Sequence, residues 1–272
     1  MCKTLEASTS GFYDWLKKDH SVKEKKKNEL LEKVKKIFIG GRKTYGSPRI
    51  YKILKGMGEK VSLSTVERLM RQNSICAKTK KKFKVTTDSK HSLPVAENIL
   101  NREFEVGTVN KTWASDITYI WTNAGWLYLA GVIDIGTRKI VGWAMGEEMK
   151  TDLVLSALDM AIKRQGPPRG LVHHSDRGSQ YACKKYRKRL KAHGIKASMS
   201  RKGNCWDNAV MESFFHSLKV EHIYHQKFLT RNDAITSIFE WIEVFYNRQR
   251  IHSSLGFFTP ECYERNLLKN CA

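Results

Sequence analysis

Three runs rich in β-branched and aromatic residues follow one another with short breaks: W-A-S-D-I-T-Y-I-W from Trp113, W-L-Y-L-A-G-V-I-D-I from Trp126, and K-I-V-G-W-A-M from Lys139. Side chains of this kind suit a pleated, half-buried surface, and Asn123-Ala124-Gly125 and Gly136-Thr137-Arg138 between them are turn formers. The segment therefore reads as three consecutive strands, an antiparallel meander. Thr151 then opens D-L-V-L-S-A-L-D-M-A-I-K-R, whose apolar spacing is helical and which stops at Gly166-Pro167-Pro168. G-L-V-H-H-S-D returns as a short strand. A basic helix near Lys184–His193, a strand over Ile195–Met199 and a helix carrying Glu212 complete the order. Strands, helix, strand, helix, strand, helix is an α/β arrangement, one sheet flanked by helices.

The chain has 272 residues, enough for one large domain and a smaller one. Of its +22 formal charge, a surplus of 15 falls in residues 1–90, where 24 Lys and Arg face 9 Asp and Glu. A field of that sign attracts polyanions, nucleic acid above all, because each neutralised phosphate releases counterions. A basic amphipathic helix is expected over Lys23–Phe38. Ser47-Pro48 resembles a helix start with Ser as N-cap, leading to a stop at Gly56 and Gly58, and Ser64-Thr65-Val66-Glu67 fits the capping box of a second helix. Val66, Leu69 and Met70 would form that helix's inner face, leaving Arg68 and Arg71 outward for DNA. This is a helix-turn-helix pattern; a plain helical hairpin docked on the core is the alternative on spacing alone. Residues 78–92 read as a basic linker. The expected division is a basic helical region with its linker at 1–92, a catalytic core at 93–228, and a C-terminal helical extension at 229–272.

Six cysteines are scattered without C-x-x-C pairs, and no signal peptide is read at the start, which points to reduced thiols in a cytoplasm. The longest apolar run, Trp126 to Ile133, falls far short of the roughly 20 residues needed to cross a bilayer, so no membrane partner is expected.

On this outline Asp116 lies inside the first strand, Asp176 just past the fourth, and Glu212 in a helix, with 59 residues between the aspartates and 35 from Asp176 to Glu212. Carboxylates gathered without compensation repel one another, so such a cluster implies a hard cation, Mg²⁺ or Mn²⁺ for an oxygen-only donor set. Taken singly, each acid also has a structural reading: Asp176 as a turn residue before Arg177-Gly178-Ser179, Glu212 as the partner of Lys219. Asn208, Glu212, His216 and Lys219 share one helix face, and His216 and Lys219 are candidates for DNA phosphate.

W-A-S-D-I-T-Y, H-H-S-D-R-G-S-Q-Y, S-R-K-G-N-C-W-D-N-A-V-M-E-S-F-F-H-S-L-K and Y-N-R-Q-R-I-H-S-S-L-G-F-F-T-P closely resemble, in order, the downstream-frame (OrfB) transposases of the third family of bacterial insertion sequences. The match runs from about Gly11 to Tyr263. The resemblance implies a ribonuclease H-like, integrase-type catalytic core with a mixed sheet flanked by helices. It further implies a small all-α helix-turn-helix-like N-terminal region, and two Mg²⁺ or Mn²⁺ ions held by Asp116, Asp176 and Glu212. The implied reaction is strand cleavage at element ends followed by 3′-hydroxyl strand transfer, with terminal inverted repeats and target DNA as partners. A homo-oligomer on DNA in a bacterial, nucleoid-associated setting is implied as well. Family members usually act as a frameshift fusion with an upstream-frame (OrfA) product that supplies a further helix-turn-helix and a leucine zipper, neither visible in these residues. That product is therefore a candidate partner. Where the family more often has Thr before its first Asp, this chain has Ser115, which keeps a hydroxyl. Arg250 and His252 are drawn toward substrate by the same resemblance, with helix capping the alternative.

Among the neighbours, Asp134 reads as a turn or sheet-end residue. Strand alternation puts His173 and His174 on opposite faces, so at most one points into the site. A DNA-binding regulator with an inactive integrase-like core is the rival function, and intact acids at family spacing speak against it.

Overall fold

A computed structural model of the chain describes residues 4, 8–17, 22–78, 94–201 and 205–270. It forms two compact units, Met1–Ala77 and Lys78–Ala272. Apart from Lys78, the expected basic linker lies outside the described residues.

The first unit holds α1 (Thr9–Lys17), α2 (Val22–Gly40), α3 (Ser47–Gly56) and α4 (Leu63–Gln72). Val34 of α2, Ile50 and Leu54 of α3, and Val66, Leu69 and Met70 of α4 are buried together with Tyr45, as the apolar spacing requires. Both helix starts differ from the expected caps. Gly46, not Ser47, occupies the N-cap of α3, and Ser47 is already helical beside Pro48. Ser62 caps α4, its Oγ accepting the Thr65 amide at 3.3 Å, so the helix begins before the Ser64-centred box. Ser62 is two residues closer than Ser64 to the Gly58 bend, where a φ of +85° needs glycine. Arg68 and Arg71 are exposed on the outer side of α4.

In the second unit β1 (Thr112–Thr122), β2 (Gly125–Asp134) and β3 (Ile140–Gly146) form the antiparallel meander. β4 (Val172–Ser175) and β5 (Lys196–Met199) add to it in parallel, giving the order β3-β2-β1-β4-β5. From the edge strand β3 the chain crosses the sheet through α5 (Thr151–Gln165), which ends at Gly166 in a left-handed cap, and returns as β4 parallel to β1. Two glycines reveal what covers each face. A Cβ on Gly142 would stand 2.2 Å from the Ala157 carbonyl oxygen, so α5 lies directly on β3. On the opposite face, a Cβ on Gly131 would meet Met211 at 3.1 Å, close to Phe215, and α8 (Ala209–Glu221) packs there. α6 (Ser179–Ala182) and α7 (Lys184–Ala192) join the α5 side, with Tyr181, Tyr186 and Leu190 in its core.

Residues 229–272 lie within this second unit. Thr230 caps α9 (Arg231–Glu240) through a reciprocal box with Asp233. The expected helical extension does not continue as α-helix beyond Glu240: residues Trp241–Tyr246 widen into a π-helix. That local register change buries Trp241, Phe245 and Tyr246, with Phe214 of α8 against Tyr246 at 4.8 Å. It also delivers the Asn247 amide to β3, where it bonds both the N–H and the C=O of Ile140 at 3.0 Å. α10 (Pro260–Asn270) follows, and its Glu264 pairs with Lys139.

Candidate active site

The first two carboxylates meet because of sheet register. Ala114 of β1 pairs in parallel with His174 of β4, and each acid lies two residues further along its own strand direction. Adjacent strands run about 4.8 Å apart, so Asp116 and Asp176 arrive side by side at the end of the ladder. Asp116 Oδ1 accepts the Ile117 amide at 2.7 Å; Asp176 Oδ1 accepts the Gly178 amide at 2.8 Å and thereby shapes the turn into α6. Burial raises the Asp116 carboxyl well above its usual range, and the charge of Asp176 raises it further; the Ile117 amide pulls the other way, and Glu212 adds a weaker upward push. All three acids thus act on one position.

Asp116 and Asp176 line a cavity of about 660 Å³ with Tyr119, Trp126, Tyr128, Met149 and Tyr181 among its walls. Glu212 stands outside that lining, exposed on the first turn of α8, its carboxyl raised by partial burial. Among the described residues no group of three or more His, Cys, Asp or Glu is placed to hold a metal ion. The donor chemistry at Asp116 and Asp176 nevertheless suits a hard divalent cation, since two half-buried carboxylates raise each other's cost of ionisation and a cation between them would offset it. Two buried polar atoms nearby, the Tyr181 hydroxyl and Asn208 Oδ1, find no hydrogen-bond partner among the described residues.

The approach to α8 contains what the sequence reading missed. Asp207, 0 % exposed, accepts a two-pronged Arg201 contact at 2.9 and 3.0 Å, Arg102 Nε at 2.9 Å, Asn98 Nδ2 at 3.0 Å and the Arg201 amide at 2.9 Å. Those donors hold its carboxyl below the ordinary range, the Arg201 side chain foremost. Next to it, Asn208 donates to the Ser115 carbonyl at 3.1 Å, tying the start of α8 to the residue before Asp116. The only hint in the sequence was an acid inside C-W-D-N, and its arginine partners lie in segments that periodicity does not connect.

Other expected residues find these places. His216 is exposed one turn beyond Glu212. Lys219, expected at DNA phosphate, is 7 % exposed; its ammonium sits 4.8 Å over the Tyr119 ring, and burial lowers its pKa to about 8 while Asp116 opposes that shift. Arg250, also expected at DNA, is 4 % exposed and engages Glu221 through two bonds of 2.7 and 2.6 Å, so its guanidinium is committed inside the protein. His252 packs edge-on against Tyr246. His173 bonds Ser115 Oγ at 2.7 Å and the Tyr186 hydroxyl at 3.0 Å, which uses the hydroxyl before Asp116 as a strut. His174 bridges Ser198 and Ser200. Burial keeps both imidazoles neutral, with pKa values pushed down to about 3 and about 4. Asp134 is fully buried in the β2–β3 turn, accepting Thr137 Oγ1 at 2.8 Å, and burial pushes it up to about 6.

The five-stranded mixed sheet carries Asp116 inside β1, Asp176 just past β4 and Glu212 on the covering helix, the arrangement expected of an integrase-type core. Family models described as "Integrase core domain" match residues 108–205 and 193–260, and one described as "HTH-like domain" matches 25–83. The chain is 46% identical over 263 residues, 97% of each chain, to the "Insertion element IS600 uncharacterized 31 kDa protein" of Shigella sonnei. It is 40% identical over 270 residues, 98% of this chain and 94% of the other, to "Transposase InsF for insertion sequence IS3A" of Escherichia coli (strain K12). The chain belongs to the IS3-family transposases. Among solved structures it is similar to the HTLV-2 integrase catalytic core domain in complex with magnesium (dimeric form), at 17% identity and a TM-score of 0.44, covering 56% of this chain and 94% of that one. No helix among the described residues is long and apolar enough to cross a membrane.

Proposed function

We propose that the chain cleaves DNA strands at the ends of an insertion element and joins the freed 3′-hydroxyls to target DNA, with Asp116, Asp176 and Glu212 as its catalytic carboxylates. In the first step water attacks the scissile phosphorus and the 3′-oxygen leaves with a proton, giving a 3′-hydroxyl and a 5′-phosphate. In the second, that 3′-hydroxyl attacks a target phosphodiester, loses its proton and displaces the target's own 3′-oxygen. Asp116, Asp176 and Glu212 would hold two Mg²⁺ or Mn²⁺ ions, which when bound supply activation of the attacking hydroxyl and stabilisation of the leaving oxygen. The protein's own part is positional. The sheet sets the aspartates level, the Asn208–Ser115 bond draws α8 toward them, and Lys219 places a cation beside Asp116. The single observation that carries the reading is the parallel register Ala114–His174, because it places two acids remote in sequence next to each other. Exposed Arg68 and Arg71 on α4 support a role for the first unit in holding DNA, in the manner of a helix-turn-helix, and terminal-repeat and target DNA are the proposed partners of a chain that works as a homo-oligomer.

The test is nicking and joining of terminal-repeat DNA with Mg²⁺. Asp116→Asn and Glu212→Gln should each abolish both reactions while DNA binding persists. Undiminished nicking by either variant would refute the assignment.

A further inference from the structure

The hairpin that carries Asp116 exposes more aromatic surface than its own fold uses. Trp121 is 58% exposed, Trp126 43% and Tyr119 36%. They are neighbours across the β1–β2 ladder, where Trp121 pairs with Trp126 and Tyr119 with Tyr128. Trp126 stands at the centre, its ring 5.2 Å from Tyr119 and 4.8 Å from Trp121, both edge-on. In each pair one ring's edge meets the other's face, and the exposed remainder is largest on Trp121 and Trp126. Isolated exposed aromatics need no explanation, but a contiguous row of them marks a binding surface.

This row is continuous with the acids. Tyr119, Trp126 and Tyr128 line the same cavity as Asp116 and Asp176. The row is also fixed in place. Thr122 Oγ1 bonds the Gly125 carbonyl at 2.7 Å across the turn, Arg231 Nε bonds the Trp126 carbonyl at 3.1 Å, and the Asn123 amide bonds the Phe228 carbonyl at 3.0 Å. The Lys219 ammonium braces Tyr119 from 4.8 Å. A rigid aromatic surface loses little entropy when it accepts a flat ligand.

We propose that Tyr119, Trp121 and Trp126 form a stacking wall for unpaired bases, so that the site takes a DNA end whose terminal pairs have opened. This deepens the strand-transfer reading and rests on it, since the acids are what bring a DNA end to this cavity. Duplex bases hide their faces in the stack; only an unpaired base presents one to a tryptophan. Stacking is indifferent to base identity, so the wall opens ends rather than reading their sequence, and sequence recognition falls to other surfaces.

The experiment uses the full chain carrying Asp116→Asn, which separates binding from chemistry. Its probes are one duplex with a fully paired end and the same duplex with a forked end, each with 2-aminopurine at the terminal position. The forked probe should bind more tightly, with its fluorescence quenched by stacking. Adding Trp126→Ala should remove roughly tenfold or more of the preference for the fork and relieve the quenching, and Trp126→Phe should restore most of both. Trp121→Ala, at the more exposed ring, gives the same readout with less risk to folding. Equal loss of affinity for paired and forked probes, or unrelieved quenching in both alanine variants, would overturn the proposal. So would a changed oligomeric state with the fork preference intact, which would make the wall a protein–protein contact. A chain with the triad intact that fails to nick would count against the catalytic reading alone, because fork preference is measured without catalysis.

Discussion

Asp116 and Asp176 reach the cavity on backbone that the sheet has already registered; Glu212 arrives on a helix entered through a loop and the 3₁₀ turn Cys205–Asn208. The aspartates are half-buried and share a cavity wall, while the glutamate is exposed. Their supports differ in kind. Behind the aspartates stand ladder hydrogen bonds and the bonds of His173 on β4 to Ser115 of β1 and Tyr186 of α7. Behind the glutamate stand one buried carboxylate, Asp207, with donors drawn from residues 98, 102 and 201, and one amide–carbonyl bond from Asn208. Sheet register is cooperative and hard to perturb at one residue. A polar hub concentrates its effect in a single side chain, so Glu212 is the acid whose placement can be disturbed from a distance.

Several substitutions would break or sharpen that contrast. The largest effect is expected at the sheet: Asp116→Asn should cut strand transfer by about a thousandfold or more, the loss of several kcal/mol of metal-assisted stabilisation, with the thermal unfolding profile preserved. Quantitative gel assay of joined product against a melting curve checks both halves. Next comes Asp207→Ala, which removes the shared acceptor of Asn98 and of two half-exposed arginines and should destabilise the second unit, read by denaturant unfolding. Asp207→Asn keeps the volume and should instead lower activity with a smaller stability loss. If the hub serves α8 in particular, hydrogen exchange in that variant should speed up at the start of α8 and leave β1 and β2 protected.

A smaller effect is expected for Asn208→Ala, about 1 kcal/mol from the lost bond to the Ser115 carbonyl. Its activity loss should exceed what stability explains, because α8 is then untied from β1. Equal losses in stability and activity would make Asn208 merely structural. The last prediction concerns pH. Asp207 has a folded pKa depressed below its usual 3.8, so its contribution is fully present above that value and is lost as pH falls from about 4 through the folded pKa. Acid unfolding of Asp207→Asn should therefore be shallower than that of the unaltered chain in this window. Identical acid limbs would show that the hub adds nothing ionic.

Much of this contrast was visible in the amino-acid order. Runs rich in β-branched and aromatic residues marked the meander, helical spacing with Gly166 bounded α5, and the positions of Asp116 inside a strand, Asp176 just past one and Glu212 on a helix were readable from the residues themselves. The inner face of α4 followed from spacing too, while its cap did not: Ser62 and Ser64 are equally good acceptors by residue type, and Ser62 is the one that takes the Thr65 amide. The DNA contacts expected of Lys219 from its helix face and of Arg250 from the family resemblance met burial instead: Lys219 lies against Tyr119, and Arg250 is paired with Glu221. Charge alone does not reveal whether a side chain faces solvent or a partner.

Local physics is therefore enough to write down the elements of this protein and the three acids, since strand and helix periodicity are properties of neighbouring residues. What the chain order left open is everything that joins segments far apart: the Ala114–His174 register, the donors that gather on Asp207, and the π-helical turn that carries Asn247 onto β3. Those depend on which surfaces come to rest against each other once the core has closed, and no stretch of sequence contains both sides of such a contact.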